Sequence, residues 1–163
     1  MTSESITYQP IGVIHSPFAQ KTGTPIQGAF APDAAGSIEV FERFEEGLQD
    51  VDLFSHLHLL YAFHQAPPPS LTCIPFLDDR PRGVFATRAP CRPNAIGLSV
   101  VRVLSRQGRT IRVTELDVLD GTPLLDIKPF VPQFDARPDA GSGWITQTDH
   151  DRAVHGADQR FGP

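Results

Sequence analysis

Polar side chains suited to ligand binding are concentrated between residues 83 and 99, around Arg88, Arg92 and Asn94. An arginine guanidinium presents a planar fork of N–H donors that matches a carboxylate or a phosphate. Two prolines, Pro90 and Pro93, restrict the backbone there, which lowers the entropy lost when polar groups are held ready for a ligand. The stretch therefore predicts an anion-binding loop. Taken alone, it is even more typical of arginines that cap a loop or pair with surface acids.

A second stretch, residues 117–130, combines a tight turn with a pair of charges. Asp120 and Gly121 predict the turn, and a residue without a side chain allows a ligand to approach the backbone closely. Asp126 and Lys128 are two residues apart in a predicted strand, so their side chains share one face. These features fit either a ligand-binding turn or a plain hairpin followed by a surface ion pair.

Three histidines accompany the most apolar stretch of the chain, residues 55–64. His56 and His58 would lie on one face of a strand, a workable arrangement for zinc, and His64 would share that face. No acidic or cysteine ligand accompanies them at a usable spacing, so we expect no metal. Histidines packed in the core, or one histidine in a ligand pocket, fit the pattern better.

The composition is that of an ordinary globular protein, with 163 residues, of which 40% are hydrophobic and 20% charged. No apolar run approaches the roughly 20 residues that span a bilayer, and the first residues do not resemble a secretory signal. The two cysteines lack a C-x-x-C spacing and suit a reducing compartment, so we expect a cytoplasmic protein. The formal net charge of −5 weighs against a protein that coats nucleic acid, but it allows a local basic patch.

Short strands and shaped loops must position these side chains. Alternating or β-branched residues predict strands at residues 7–15, 36–41, 55–64, 83–88, 95–105, 110–116 and 124–130. Residues 45–54 are expected to form a short helical turn. The 16 prolines and 13 glycines predict many loops, among them a proline-rich excursion at residues 65–79 that is too rigid for regular structure.

The order of these elements indicates a mostly β fold. There is no β-α-β alternation and no G-x-G-x-x-G motif, which argues against the doubly wound Rossmann fold. We therefore expect a small antiparallel β-barrel-like domain at residues 1–135, with short helical turns and long loops. Residues 136–163 are expected to form a short C-terminal extension that is weakly ordered after about residue 149.

Taken together, these stretches resemble one protein family in both pattern and order. The shared features are IGVIHSPF at residues 11–18, FSHL at 54–57 with FHQ at 63–65, GVFATRAPCRPNAIGLS at 83–99, and DGTPLLDIKP at 120–129. The sequence is similar in this way to the TrmO family, also called TsaA-like or YaeB-like, over about residues 7–135. The pattern G-V-F-A-T-R-x-x-x-R-P-N-x-I-G-L-S is too long and fixed for a chance match.

The resemblance implies a methyltransferase that lacks the Rossmann core and works as a homodimer. Family members use S-adenosylmethionine to methylate N6 of N6-threonylcarbamoyladenosine, next to the anticodon of tRNA. Carried over to this sequence, cofactor contacts are expected at Gln27, Gly28, Ala29, Phe63, His64, Arg88, Leu98, Leu119, Asp120, Gly121 and Thr122. Substrate contacts are expected at Arg88, Arg92, Asn94 and Lys128.

The implied reaction asks the protein chiefly to align the reactants and to exclude water, because the sulfonium methyl group is already activated. Acylation makes the N6 proton of the substrate easier to remove than that of adenosine, so a general base is weak or not required. Asp120, Asp126 and His64 are candidates for assisting, and the sequence does not choose among them. Arg88 and Arg92 are expected to address the carboxylate of the cofactor or of the threonyl group.

Two departures from the family pattern bear on the substrate more than on the cofactor. Some members continue into a sizeable C-terminal domain, whereas only about 30 residues follow Pro132 here. The early loop reads PIQGAF at residues 25–30, and relatives often carry an arginine before the glutamine and proline-glycine after it. Because Gln27 is kept, cofactor binding is the better supported half of the prediction.

Two other functions fit parts of the pattern. A barrel that binds S-adenosylmethionine as a regulatory module, without turnover, suits the acidic charge and the short tail, whereas the intact motifs favour the enzyme. A basic patch that reaches the cofactor pocket would favour RNA, and an acidic rim would favour the regulatory module. A metal-dependent hydrolase would need carboxylate ligands that the histidine strand lacks.

Overall fold

The fold is a closed antiparallel barrel, in a computed structural model that describes residues 5–145 and 156–161. Eight strands are present in the described residues: β1 (Gly12–His15), β2 (Gly36–Val40), β3 (His56–Ala62), β4 (Thr72–Cys73), β5 (Arg82–Gly83), β6 (Ile96–Gln107), β7 (Thr110–Thr114) and β8 (Thr122–Pro129). Six of them form the barrel in the order β1-β2-β7-β6-β3-β8, and β8 closes it by pairing with β1. The prediction of a mostly β, barrel-like fold is thereby confirmed.

Strand β3 is the best example of how alternation in the sequence sets the barrel. It pairs with β6 on one side and with β8 on the other, so the strand predicted at residues 55–64 is a central one. Leu57, Leu59 and Tyr61 point inward and are buried, whereas His56 and His58 lie on the outer face. A strand that is buried on one face requires this alternation, because successive side chains point to opposite faces of the sheet.

The interior of the barrel is filled by aliphatic side chains from all six strands and the connections between them. Strand residues Ile14, Ile38, Leu57, Leu59, Val101, Ile111, Val113 and Leu124 are fully shielded from solvent, and Leu116 joins them from the segment after β7. Burial of each such side chain contributes roughly 1.5–3 kcal/mol relative to exposure. The barrel is therefore a packed core, and a ligand must bind at one of its ends or on its outside.

Short helices fill the connections. Segments of 3₁₀ helix lie at Gly28–Phe30, Glu42–Leu48, Val51–Leu53, Val84–Ala86 and Gln159–Phe161, and one turn of α-helix, α1, spans Pro132–Asp135. The predicted helical turn at 45–54 is thus two 3₁₀ segments, and the proline-rich excursion contains β4. No helix within the described residues is long and apolar enough to cross a membrane.

The predicted strand at residues 83–88 is wrong. Only its first residue is extended, in β5, and a 3₁₀ helix follows at once. Thr87 explains the break, because its hydroxyl donates to the carbonyl of Val84 and accepts the amide of Ala89. Such local side-chain hydrogen bonds offer the backbone an alternative to pairing in a sheet.

Other boundaries move by a few residues. The first strand begins at Gly12 instead of residue 7, past Pro10, which has no amide for a ladder. Strand β6 runs two residues beyond the predicted end, to Gln107, and the hairpin turn is made by Gly108 with a φ of 56°. A positive φ of this kind is accessible to glycine without strain.

Gly97 allows the ring of Tyr61 to lie against the neighbouring strand. The two residues are direct partners between β3 and β6. A Cβ atom at Gly97 would lie 2.1 Å from a carbon of the Tyr61 ring, far inside van der Waals contact. The tyrosine is 4% exposed, so its ring has nowhere to move without disturbing the core.

We therefore predict that Gly97→Ala lowers the free energy of unfolding by about 1–3 kcal/mol, the usual cost of overpacking a core. The midpoint of urea unfolding measures this loss. Gly47→Ala is the matched control, because a Cβ at that glycine meets no atom within 4 Å. Equal midpoints for the two variants would contradict the packing argument.

Candidate functional site

A cavity of about 350 Å³ lies at one end of the barrel. Antiparallel pairing brings the ends of β3 and β7 and the beginnings of β6 and β8 to this end. The lining comes from residues 21–27, from residues 63–66 after β3, from the 87–92 loop, from the start of β6, from residues 117–122 before β8, and from residues 157–161. Segments distant in sequence are thus brought to one concave site.

Seven of the residues expected to contact a cofactor line this cavity. They are Gln27, Phe63, His64, Arg88, Leu98, Leu119 and Thr122. Arg92, expected to contact the substrate, lines it as well. The structure therefore brings together side chains that the sequence places in separate, distant segments.

Arg88 and Gln27 are joined across the cavity wall. The Arg88 guanidinium donates a hydrogen bond of 2.8 Å to the Gln27 side-chain oxygen. Its other N–H groups make no hydrogen bond that the structure records in the described residues. An arginine fixed at one nitrogen and free at others can bind a carboxylate with little further loss of entropy.

Arg92 serves the loop that carries it. Its guanidinium donates to the carbonyl oxygens of Thr87 at 3.1 Å and of Ala89 at 3.0 Å. This is the loop-capping role that the sequence also allowed for the arginines. The side chain still borders the cavity, so its charge contributes to the local field.

Asp117, a partly buried acid that none of the sequence motifs points to, stands in the cavity wall. Its carboxylate accepts the hydroxyl of Ser99 at 2.5 Å and the amide of Gly28 at 3.0 Å. The Ser99 oxygen is also 2.9 Å from the Tyr61 hydroxyl. Because the single proton of Ser99 is donated to Asp117, Tyr61 must donate to Ser99. A polar chain therefore runs from β3 through β6 to the acid.

Burial raises the pKa of Asp117 to about 6, although the bonds from Ser99 and Gly28 and the charge of Arg88 act in the opposite direction. Burial also raises the pKa of the Tyr61 hydroxyl, so this group stays protonated at neutral pH. Carboxyl groups with a pKa near neutrality, placed in a cavity wall, are typical of functional sites.

Gly28 holds the acid instead of lining the cavity. Besides its bond to Asp117, it packs against the backbone of Glu115, where an added Cβ would lie 1.9 Å from the carbonyl oxygen. Only glycine fits this contact. Ala29, which follows it, does not line the cavity either.

The turn before β8 presents some of its residues to the cavity and turns others away. Leu119 and Thr122 line the cavity, whereas Asp120 and Gly121 do not. The Asp120 carboxylate accepts the amide of Ser16 at 3.0 Å and so fastens the end of β1. Gly121 adopts a φ of 76°, as a tight turn requires.

His64 lies beside this turn with both ring nitrogens engaged. Its Nδ1 is 3.3 Å from the Thr122 hydroxyl, which already donates its proton to the Leu119 carbonyl at 2.7 Å. The Nδ1 position must therefore carry the proton, and Nε2 is 3.3 Å from the Gln65 amide nitrogen. These contacts hold the imidazole ring in one orientation at the cavity wall.

The remaining predicted site residues lie outside the cavity. Asp126 and Lys128 form an ion pair of 2.7 Å on the outer face of the barrel, the surface pair that the sequence also allowed. Asn94 precedes β6 and does not reach the lining. A catalytic role for Asp126 and substrate contacts by Lys128 and Asn94 find no support in this placement.

The three histidines of residues 55–64 are not brought together. His56 and His58 face outward near Phe130, and the His58 ring lies 3.5 Å from the Asp135 carboxylate. His64 does not join them, because it follows the end of β3 and turns to the cavity. No group of three or more candidate ligands occurs in residues 5–145 or 156–161.

A C-terminal strap, residues 156–161, forms one side of the cavity. Ala157 exchanges backbone hydrogen bonds with Gly23 and Thr24, at 2.9 and 2.8 Å. Phe161 is buried and packs edge-on against Phe76, with ring centroids 5.1 Å apart. Residues 156–161 of the predicted extension therefore pack against the barrel end, and positions 146–155 and 162–163 lie outside the described residues.

Asp117 generates a prediction about pH. Its pKa is higher in the folded protein than the ordinary 3.8, so the proton stabilises the fold below pH 3.8 and this contribution disappears as the pH rises through about 6. Relative to Asp117→Asn, the wild type should lose up to about 3 kcal/mol of unfolding free energy between pH 4 and pH 7. Urea titrations of both proteins across this range measure the difference. A difference that stays constant with pH would disprove the assignment.

Comparison with known proteins places this site in a family. Residues 13–136 match the family model described as the tRNA-methyltransferase O N-terminal domain, TrmO_N. A protein of Pyrococcus abyssi named "Probable S-adenosyl-L-methionine-binding protein" is 49% identical over 156 residues, which are 96% of this chain and 85% of that protein. Human tRNA (adenine(37)-N6)-methyltransferase is 34% identical over 78% of this chain and 31% of its own length.

Solved structures of TrmO agree with this family assignment. A crystal structure of TrmO from Pseudomonas aeruginosa superposes with a TM-score of 0.74 and 41% identity, covering 88% of this chain and 64% of that one. The chain thus spans less than two thirds of this structure and about a third of the human enzyme. The matched part contains the barrel and the motifs that line the cavity. By sequence and by structure, the chain belongs to the TrmO family.

Proposed function

We propose that this protein binds S-adenosylmethionine in the cavity at the barrel end and transfers its methyl group to N6 of threonylcarbamoyladenosine in tRNA. The observation that carries the proposal is the convergence of Gln27, His64, Arg88 and Thr122 on one cavity. His64, Arg88 and Thr122 belong to three separate motifs that the chain shares with its family, and Gln27 is the residue kept in the early loop. A single ligand-binding site explains why these distant segments converge.

The cavity suits this cofactor in size and chemistry. Its volume lies within the range of about 300–1,000 Å³ that small-molecule sites occupy. Ile26, Phe63 and Leu98 provide an apolar wall for a flat heterocycle, and the Arg88 fork suits the carboxylate of an amino acid. Asp117 supplies a negative charge that favours a cationic sulfonium. The cofactor, when bound, supplies a methyl group activated by its positive sulfur.

The residues of the chain leave two candidates for removal of the substrate proton. Of the three bases predicted from the sequence, His64 alone lines the cavity, and Asp117 is the candidate that the structure adds. A base works best when its pKa is near the working pH, which the raised pKa of Asp117 approaches. An acylated N6 needs only a base of modest strength, so either group is sufficient.

The charges around the cavity support a nucleic-acid substrate. Lys21, Arg88 and Arg92 line it, whereas the acids in the lining are Asp117, which is held inside, and Asp158, which pairs with Arg160 at 2.8 Å. A local basic rim of this kind attracts phosphate even in a protein of net charge −5. The rim therefore favours RNA over a closed regulatory site.

A regulatory module that binds S-adenosylmethionine without turnover is the second candidate. Several archaeal relatives are named as S-adenosyl-L-methionine-binding proteins, including one of Archaeoglobus fulgidus that is 40% identical over 78% of this chain. The acidic net charge agrees with this reading. Transfer of a methyl group to RNA separates the two candidates.

We further propose a homodimer formed through the outer face of β3 and β6. Leu60, Ala62, Ile96, Leu98 and Val100 point outward there as a continuous apolar stripe, and Ile96 and Leu98 are 41% and 49% exposed. Exposed apolar patches on a folded domain are typical of contact surfaces. Because the stripe borders the cavity at Leu98, a second copy would add a wall to the site.

The first experiment measures methyl transfer from labelled S-adenosylmethionine to tRNA that carries threonylcarbamoyladenosine, with unmodified tRNA alongside. Label is expected on the modified tRNA only. Arg88→Ala should reduce transfer about 10- to 100-fold, because it removes a charge-assisted contact. Arg112→Ala, an exposed arginine on β7, is the matched control.

Two results would contradict the proposal in different ways. Cofactor binding without transfer to either RNA would favour the regulatory module. Equal transfer to both RNAs would leave a tRNA methyltransferase but remove threonylcarbamoyladenosine as the substrate.

The dimer is tested by sedimentation of Val100→Lys, which places a charge at the end of the apolar stripe, opposite His58. The wild type should sediment as a dimer and the variant as a monomer of 17.9 kDa, because a lysine cannot be buried unpaired in an interface. Ser37→Lys, on the opposite side of the barrel in β2, should remain a dimer. A monomeric wild type at micromolar concentration would rule out this dimer.

A further inference from the structure

A second cavity, of about 590 Å³, adjoins the first. The two share a wall that includes Ile26, Gln27, Phe76, Arg88 and Phe161. The second cavity extends from this wall to the 3₁₀ helix Val84–Ala86 and to Trp144. None of the motif residues expected to bind the cofactor lines it except Gln27 and Arg88.

Aromatic side chains dominate the second cavity. Phe30, Phe76, Phe85, Trp144 and Phe161 all line it. Phe85 is 76% exposed, an unusual position for a phenylalanine in a domain with a well-filled core. Its neighbour Val84 is 1% exposed and anchors the short helix, so the exposed ring is held on a fixed support.

Trp144 is fixed from two directions. Its indole N–H donates to the carbonyl oxygen of Ala86 at 2.8 Å, and the Arg82 guanidinium lies over the ring at 5.2 Å. These contacts bind the indole to the same short helix that carries Phe85. Two aromatic groups are thus presented together beside the Gln27–Arg88 bond.

We propose that the second cavity binds an unstacked nucleobase of the RNA, and this proposal rests on the methyltransferase function proposed above. Enzymes that modify a base must remove it from its stack, and exposed bases of single-stranded loops bind by stacking on aromatic side chains. Phe85 and Trp144, which are attached to one short helix, supply such a platform, because aromatic side chains have few rotatable bonds and lose little side-chain entropy.

The shared wall explains how two ligands meet. Methyl transfer needs the acceptor and the donor held in separate places with their reacting atoms together. Gln27 and Arg88 line both cavities, and the 2.8 Å bond between them forms part of the boundary. A base stacked in the second cavity would therefore lie next to the first cavity, with Arg88 within reach of an anionic group on either ligand.

The fluorescence of Trp144 tests this directly, because it is the single tryptophan of the chain. The probe is an anticodon stem-loop RNA that carries threonylcarbamoyladenosine, added to the full-length protein. Stacking on the indole should quench the emission as the RNA binds, and S-adenosylmethionine alone should not quench it.

Phe85→Ala should weaken RNA binding about tenfold, the usual effect of losing one stacking partner, and leave cofactor affinity measured by calorimetry unchanged. Phe134→Ala, which removes a 62% exposed ring on α1, is the matched control and should change neither.

The outcomes separate this inference from the function on which it rests. If the wild type methylates the RNA but Phe85→Ala binds it with unchanged affinity, the second cavity is not the base site and the function stands. Quenching by S-adenosylmethionine alone, together with weaker cofactor binding by Phe85→Ala, would assign the second cavity to the cofactor and overturn the inference. Absence of both methylation and quenching in the wild type would overturn the function and the inference together.

Discussion

The closed hydrogen-bonding circuit of the barrel is the constraint on which the rest of the structure depends. Because β8 pairs with both β1 and β3, every barrel strand has two neighbours and no edge is left unpaired. The strands alternate in direction, so the ends of β3 and β7 meet the beginnings of β6 and β8. Long loops rich in proline and glycine can then carry the functional groups, since a rigid frame fixes where each loop starts and stops.

Within this frame, the hydrogen-bonded chain of Tyr61, Ser99 and Asp117 shapes the site at a cost in folding stability. A partly buried carboxylate is costly unless hydrogen bonds satisfy it, and here Ser99 and the Gly28 amide do so. The same bonds fasten the early loop to the barrel end, because Gly28 has no side chain to hold it away. Asp117 thus fixes the early loop and places a negative charge in the cavity wall. These two roles explain why the fold keeps a carboxylate whose burial costs stability.

The features that the sequence predicts are those set by residues close together in the chain, and the features that it misses depend on residues far apart. Alternation of side chains is local, so β3 and β7 were predicted within a few residues, and motifs identified Arg88, Gln27 and Thr122. The strand predicted at 83–88 is absent because the Thr87 hydroxyl forms local hydrogen bonds with the backbone in place of strand pairing. Asp117 was missed because its partner Gly28 lies 89 residues away in the sequence, and only the register of the strands brings the two together. The strap was missed for the same reason, since Phe161 meets Phe76 across the fold.

The acidic net charge is compatible with the proposed action on RNA once the individual charges are placed. A net charge of −5 is spread over the whole surface, but counterion release depends on the few basic groups that touch phosphate. Lys21, Arg88 and Arg92 form a small set, so phosphate contacts supply limited affinity and little selectivity. Under the proposed function, selection would come from the base itself, through stacking and through an anionic group matched to Arg88. This division would suit an enzyme that has to find one modified nucleotide among many ordinary ones, because general repulsion weakens binding to every RNA and only the modified nucleotide adds the contacts that offset it.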